Sequence, residues 1–155
     1  MLYTAFYKSP VGTIVMSSDG KSLTGLCIQK DLSIVENQDT SPNLRIFSET
    51  RDWLDIYFGG CEPGFTPNLS LCGTGFRQSV WQQLLTIPYG HTVSYGEIAR
   101  RLGCRSAQAI GGAVGHNPIA VIVPCHRVVG SDGSLIGYAY GLERKRFLLH
   151  LEGVV

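Results

Sequence analysis

Two turn signals near the amino terminus limit what this chain can become more than any other local feature. Ser9-Pro10-Val11-Gly12 and Ser18-Asp19-Gly20 cut the first 29 residues into three pieces, Leu2–Lys8, Thr13–Ser17 and Leu23–Gln29. Pieces this short, rich in aromatic and β-branched residues and separated by Pro, Gly and Asp, predict a β-meander. The period then changes. From Ser41-Pro42, an N-cap followed by proline at the first helical position, apolar residues recur at Leu44, Phe47, Leu54 and Phe58 until Gly59-Gly60. That spacing predicts one amphipathic helix.

Residues 60–74, with Pro63, Gly64, Pro67 and Gly73, carry no periodicity, and the sign of the charge changes there. Residues 1–73 hold five Lys/Arg against eight Asp/Glu, a net −3; residues 74–155 hold eight against four, a net +4. This places a boundary between an N-terminal lobe, 1–73, and a C-terminal lobe, 74–155. The basic lobe is the one a phosphate backbone would meet.

In the second lobe, Gly75–Ile87 has a helical stripe of Phe76, Val80, Leu84 and Leu85, stopped by Pro88-Tyr89-Gly90. Ser94-Tyr95-Gly96-Glu97 reads as a capping box opening a short helix that ends near Gly103. Ser106 can cap a third helix, Ala107–Gly115. Two short helices with a tight link outline a helix-turn-helix, although an ordinary helical hairpin has the same spacing. Ile119–Val123 reads as a buried strand, and Leu142–Leu151 as a closing amphipathic helix. The fold expected is an α/β two-lobe protein: a small N-terminal sheet with a helix, then a helical, winged helix-turn-helix-like lobe carrying the active site.

Composition closes off other classes. Apolar residues make up 44% of the 155 and charged residues 16%, which excludes a disordered chain. No apolar run approaches the roughly 18 residues of a membrane span, and the amino terminus has no signal-peptide pattern, so a cytoplasmic protein is expected. Five cysteines, at 27, 61, 72, 104 and 125, show no Cys-x-x-Cys pair. Neither a disulfide framework nor a structural zinc is expected.

Two segments invite chemistry. Ser106–Gly115 holds three glycines, each costing a helix about 1 kcal/mol relative to alanine, so something must approach it closely: another core helix or a nucleic-acid backbone. Cys125 follows Pro124 and precedes His126 and Arg127. A cysteine after a strand is usually a buried small hydrophobe, but these neighbours favour the nucleophilic thiolate. On an extended backbone His126 would face away from Cys125, so it can take the proton only if the chain turns or a water bridges the two.

Ile122-Val-Pro-Cys-His-Arg-Val-Val129, preceded by Asn117-Pro118 and followed by Gly141-Leu142 and Leu148-Leu-x-Leu-Glu152, resembles the O6-alkylguanine-DNA alkyltransferases, or methylated-DNA–protein-cysteine methyltransferases. The likeness runs from about Gly75 to Gly153 and includes Ile87-Pro-Tyr-Gly-x-Thr-Val-Ser-Tyr-Gly-Glu-Ile-Ala99. Ser9-Pro-Val-Gly-Thr13 and Leu23-Thr-Gly-Leu26 are similar to the family's first lobe. The resemblance implies a single-turnover repair protein that flips O6-alkylguanine out of duplex DNA and moves the alkyl group irreversibly to Cys125. O6-methylguanine is the main substrate implied, with O4-methylthymine a secondary candidate. His126 would act through water as base, Glu152 would orient it, Tyr95 would protonate the departing guanine and Asn117 would support the cysteine turn.

The same resemblance makes Ala107–Gly115 a minor-groove recognition helix, with Ala107, Ala109, Gly111 and Gly112 permitting close approach. Val128, Tyr138 and Ala139 would line the guanine pocket. Ser94, Arg105, Arg127 and Ser131 would meet DNA, as would Arg77 and the Arg144-Lys145-Arg146 cluster. The partner implied is double-stranded DNA containing O6-alkylguanine, met by a monomer with no cofactor and no metal. Two positions depart from the family pattern. Gln108 stands where an arginine usually fills the space of the flipped nucleotide, and Tyr140 stands where glycine is usual, which should narrow the pocket entrance. The alternative function is a lesion-binding module with little or no transfer, although such relatives replace the acceptor cysteine. A cysteine hydrolase using His91, His116 or His150 finds no recognisable context, and a plain helix-turn-helix regulator leaves Pro-Cys-His-Arg unexplained.

Overall fold

The computed structural model describes residues 2–29 and 43–154. The chain divides into two compact units, Met1–Cys72 with Pro118–Ala120, and Gly73–Asn117 with Val121–Val155.

In the first unit, β1 (Tyr3–Ser9), β2 (Gly12–Ser18) and β3 (Leu23–Ile28) form an antiparallel sheet in the order β1-β2-β3. Pairing of Ser9 with Gly12 leaves Pro10-Val11 as a two-residue loop, and Tyr3 pairs with Ser18 at the other end. The β2–β3 register runs from Ile14 opposite Ile28 to Ser17 opposite Gly25, then slips by a bulge at Ser17/Ser18. Alternate side chains, Ala5, Ile14, Met16, Leu26 and Ile28, are buried as period two demands. Helix α1 (Arg45–Phe58) packs on β1 and β2 and buries Ile46, Phe47, Trp53, Leu54 and Tyr57. The predicted cap at Ser41-Pro42 lies outside the described residues. The outer edge of β3 does not stay open: Leu23 exchanges backbone bonds with Asn68 and Ser70, and Leu26 with Pro118 and Ala120. Exposed strand edges invite pairing with other chains, and these two short segments cover this one.

The second unit contains α2 (Gly75–Leu85), β4 (Val93–Ser94), α3 (Tyr95–Arg101), α4 (Ala107–Gly115), a 3-10 turn at Cys125–Arg127, β5 (Val128–Val129) and α5 (Leu142–Leu151). Strands β4 and β5 pair in parallel, Val93 with Val128. Thr74, Ser94 and Ser106 cap α2, α3 and α4, each accepting a backbone amide three residues on. The reciprocal half of the expected capping box is missing: Glu97 turns to Arg100 and Arg101, because those cations offer charged partners on its own helix face. Val80, Trp81, Leu84, Ile98, Ile110, Val123, Leu148 and Leu149 form the core. The indole of Trp81 donates to the Ala113 carbonyl at 2.9 Å, tying α2 to α4.

One predicted strand is absent. Ile119 makes an isolated bridge to Leu26, and the run then turns, because Val121 adopts φ +69°. A β-branched residue rarely enters that left-handed region, and a strand cannot pass through it.

Gly73 shows how closely the second core is packed. A Cβ built there would lie 2.5 Å from the ring of Trp81, which is buried and hydrogen-bonded in place. Gly73→Ala should therefore cost about 1–3 kcal/mol through overpacking, read as a lower urea midpoint with an unchanged m-value. A midpoint equal to that of the wild type would contradict this packing.

Candidate active site

The path from Asn117 to Val129 decides which way each side chain of the Pro-Cys-His-Arg run points. Pro124 sits at φ −83°, ψ 66°, and the Cys125 amide bonds back to the Val123 carbonyl at 2.8 Å. This is an inverse γ-turn with proline at its centre. One 3-10 turn follows, closed by the Arg127 amide on the Pro124 carbonyl at 3.0 Å. The Asn117 side-chain amide donates to the Val123 carbonyl at 2.8 Å and fixes the entry to the turn. The chain therefore does turn at Pro124, but the turn sends His126 and Cys125 to opposite sides, so of the two routes open to the proton the bridging water is the one that fits.

His126 points inward and is fully buried. Its Nε2 lies 2.5 Å from Oε2 of Glu152, at the end of α5. Oε1 of Glu152 accepts from Arg127 Nε at 2.8 Å and from the Gly90 amide at 3.0 Å. Burial alone would raise the Glu152 pKa, but the bonds from His126, Arg127 and Gly90 outweigh it and bring the carboxyl down to about 2. Burial lowers the His126 pKa against the pull of Glu152. The pair thus rests as carboxylate and neutral imidazole, and the hydrogen between them belongs to Nε2.

Cys125 occupies the other side of the turn. It is only 4% exposed, yet it lines a cavity of about 570 Å³ together with Tyr95, Gln108, Gly111, Ser131 and Tyr138, among others. Burial pushes its thiol pKa up, while a hydrogen bond from Asn117, the charge of Lys145 and nearby amides offset part of the rise. This corrects the expectation of a sulfur held ionised by its sequence neighbours. Arg127 has turned away to Glu152 and His126 is neutral, so the resting group is a thiol and needs a base.

Tyr95 also lines the cavity, and its hydroxyl donates to the carbonyls of Ile136 and Gly137 at 3.2 and 3.3 Å. A Cβ at Gly137 would sit 3.1 Å from that hydroxyl, and φ there is +64°, so the position suits only glycine. Burial and the proximity of Cys125 raise the phenol pKa. The buried Tyr138 hydroxyl has no hydrogen-bond partner among the described residues.

Of the other predicted residues, Ala107 and Ala139 also line the cavity, and Gly111 is half-buried in its wall. Ala109 and Gly112 lie exposed on α4 outside it, and Arg105 is exposed in the α3–α4 link. Ser94 caps α3. Arg77 lies in the first turn of α2 and Arg146 on the exposed side of α5. Four expectations need correcting. Arg127 is buried with Glu152 and the Ile87 carbonyl, not on a DNA-facing surface, because the inward side of the 3-10 turn carries it there. Val128 is fully buried in β5 behind the wall and does not line the cavity. Tyr140 does not line it either; its ring meets Tyr138 edge-on at 5.5 Å. Lys145 is no member of a surface cluster. Fully buried, it donates to the carbonyls of Val128, Ile136 and Gly137, and burial brings its pKa down to about 8.

Sequence reasoning missed that role of Lys145. The only available signal was its place in α5, three residues before Leu148 on the inward stripe.

Comparison with known proteins matches residues 2–71 to the ribonuclease-like domain, and residues 75–154 to the DNA-binding domain, of 6-O-methylguanine DNA methyltransferase. The methylated-DNA–protein-cysteine methyltransferase of Mycobacterium leprae is 46% identical over 98% of this chain and 93% of its own. That of Methanosarcina acetivorans is 44% identical over 98% of this chain and 99% of its own. The Mycobacterium tuberculosis OGT solved in complex with DNA superposes with a TM-score of 0.86 at 47% identity, covering 96% of this chain and 91% of that one.

The pKa directions fix how acid acts on the site. The unfolded His126 takes a proton near its ordinary 6.5 while the buried one resists, so stability falls as pH drops below that value. Unfolded Glu152 protonates near 4.5 and the folded group only near 2, so a further loss runs between those values as pH falls. The Glu152 share is roughly 3 kcal/mol. The urea midpoint should decline continuously on acidification, and Glu152→Gln should flatten the lower part of the decline. An unchanged slope in that variant would contradict the pairing.

Proposed function

The chain belongs to the 6-O-methylguanine DNA methyltransferase family, and from that premise we propose that Cys125 is the alkyl acceptor in a single-turnover repair of O6-alkylguanine in DNA. The observation that carries this reading is the two-sided turn. Cys125 borders a cavity with room for a nucleobase while His126, one residue on, is locked to a buried carboxylate.

Guanine O6 is inside the duplex, so the nucleotide must be everted before sulfur can reach its alkyl carbon. Helix α4 supports that approach. A Cβ added at Gly111, Gly112 or Gly115 would meet nothing within 4 Å, so no packing inside the protein demands small residues there. This supports an external partner on the glycine face of the helix, and a minor-groove wall fits it. The groove's degenerate code suits a protein that repairs lesions in any sequence. Gln108 is exposed on α4 and lines the cavity, which supports its filling the space the base leaves.

Inside the cavity the steps follow from the resting protonation states. Neutral His126, with Nε2–H held by Glu152, has Nδ1 as its basic nitrogen and takes the Cys125 proton through water. The imidazolium that forms is stabilised by the carboxylate. The thiolate attacks the alkyl carbon in line; the S–C bond forms, the C–O6 bond breaks and its electron pair passes to the purine. The raised pKa of the Tyr95 phenol suits a group that keeps its proton until that charge develops. Tyr95 then protonates the guanine, and the imidazolium proton makes good the loss. The net change moves the alkyl group to sulfur and the thiol proton to guanine. A thioether has no good leaving group, so the protein acts once.

A cytoplasmic location fits five unpaired cysteines and a family that works on DNA. Among the described residues no helix is long and apolar enough to cross a membrane.

Incubation with duplex DNA bearing O6-methylguanine should add the mass of one methylene to the Cys125 peptide, limited to one equivalent. Cys125→Ser should abolish the gain and keep DNA affinity. Intact lesion retained in a stable complex with the wild type would point instead to a lesion-binding module. Gln108→Arg should tighten DNA binding by roughly 1 kcal/mol, the scale of one added cation contact, and speed transfer. Unchanged affinity and rate would remove residue 108 from the eversion step.

A further inference from the structure

We propose that Arg127 is a positioning residue of the transfer reaction: by binding the second oxygen of Glu152 it keeps that carboxylate a pure acceptor and so fixes which nitrogen of His126 can receive the cysteine proton. The inference rests on the reading of Cys125 as acceptor and deepens it.

A buried Glu–His pair has two neutral-histidine arrangements. In one, the carboxylate is ionised and accepts Nε2–H, leaving the lone pair on Nδ1. In the other, the carboxyl is protonated and donates to Nε2, so the ring hydrogen moves to Nδ1 and the basic nitrogen is lost to the reaction. An isolated carboxylate in a dry interior tends toward the second, since burial penalises its charge.

Here the choice is made by what surrounds Oε1. Arg127 Nε–H and the Gly90 amide both donate to that oxygen, at 2.8 and 3.0 Å, and Arg127 cannot lose its proton. The guanidinium is itself fixed. Its Nη1 donates to the Ile87 carbonyl at 2.8 Å, and its carbon lies 5.8 Å from the centre of the Tyr89 ring. The groups acting on the pair are therefore His126 and Arg127 from the 3-10 turn, the amide and ring of the Gly90 and Tyr89 loop, and the more distant ammonium of Lys145 on α5. Arg127 joins Glu152 by a charged hydrogen bond on the oxygen that His126 does not use. Without it the buried carboxylate would lose a permanently charged donor that offsets the cost of its burial, and it would take up a proton more readily.

This also gives a chemical reason for arginine directly after His126. The turn that sends Cys125 to the cavity sends both following side chains inward, so one short segment supplies nucleophile, base and the cation that sets the base's tautomer.

The test is ¹⁵N NMR of histidine-labelled full-length protein, paired with single-turnover kinetics on O6-methylguanine duplex. In the wild type, His126 should carry its hydrogen on Nε2 at neutral pH. Arg127→Met should move it to Nδ1 and slow transfer about 10- to 100-fold, the scale for lost partners of a ligating or catalytic imidazole, while one equivalent of methyl still reaches Cys125. Arg127→Lys, which keeps a cation, should restore Nε2–H. An Arg127→Met protein with Nε2–H and the wild-type rate would overturn the proposal. Should that variant not fold, an Nδ1–H signal from His126 in the wild type or in Arg127→Lys would overturn it as surely. Failure of the acceptor assignment would look different: no mass gain on Cys125 in the wild type, whatever the tautomer.

Discussion

A single buried carboxylate constrains the whole C-terminal unit. Glu152 is taken out of water at the end of α5, and a charge there is tolerated only if donors converge on it. Among them are an imidazole, a guanidinium and a backbone amide, the last two sharing one oxygen. Meeting that demand brings the end of α5, the loop after α2 and the turn at 125–127 to one point. Removing any donor would cost more than the bond itself, because it would leave a buried charge under-compensated.

The turn at Pro124 is what lets one tripeptide serve both sides of this arrangement. An extended chain would also place Cys125 and His126 on opposite faces, but it would carry Arg127 back toward the cavity. The γ-turn and the 3-10 turn that follows keep Arg127 inward with His126. The positive φ at buried Val121 lies just upstream, where the chain reverses after pairing with the edge of β3. Strain of that kind is worth about 1–3 kcal/mol and persists where packing over-determines it, as the full burial of Ile119–Val121 does here.

The elements were largely legible because their punctuation is local. Ser94 and Ser106 cap where side-chain chemistry said they would, and α4 and α5 span the predicted residues. Local rules failed where distant groups compete. Glu97 gave up the capping box for two arginines, and Ile119–Val123 looked like a strand because apolar runs carry no information about φ. The cavity wall was legible from the motif for Tyr95, Gln108, Cys125 and Tyr138. The fates of Arg127 and Lys145 were not, since a cation beside other cations or polar residues reads as solvated, and only the fold reveals carbonyls or a carboxylate waiting inside. The protonation of Cys125 was misread for the same reason: sequence shows neighbours, whereas burial and direction decide whether they act on the sulfur.

Opposite properties therefore meet across a few ångströms. Behind the sulfur lies a buried, hydrogen-bonded assembly; in front of it lies a cavity bordered by a helix whose glycines, 111, 112 and 115, face open space. The central claim is that this front side receives an everted lesion base. A crystal structure of Cys125→Ser bound to duplex DNA carrying O6-methylguanine measures this most directly. The account predicts the modified base inside the cavity, with its methyl carbon against residue 125 and the Tyr95 hydroxyl within reach of the purine. A lesion still stacked in the duplex with the cavity empty would contradict it.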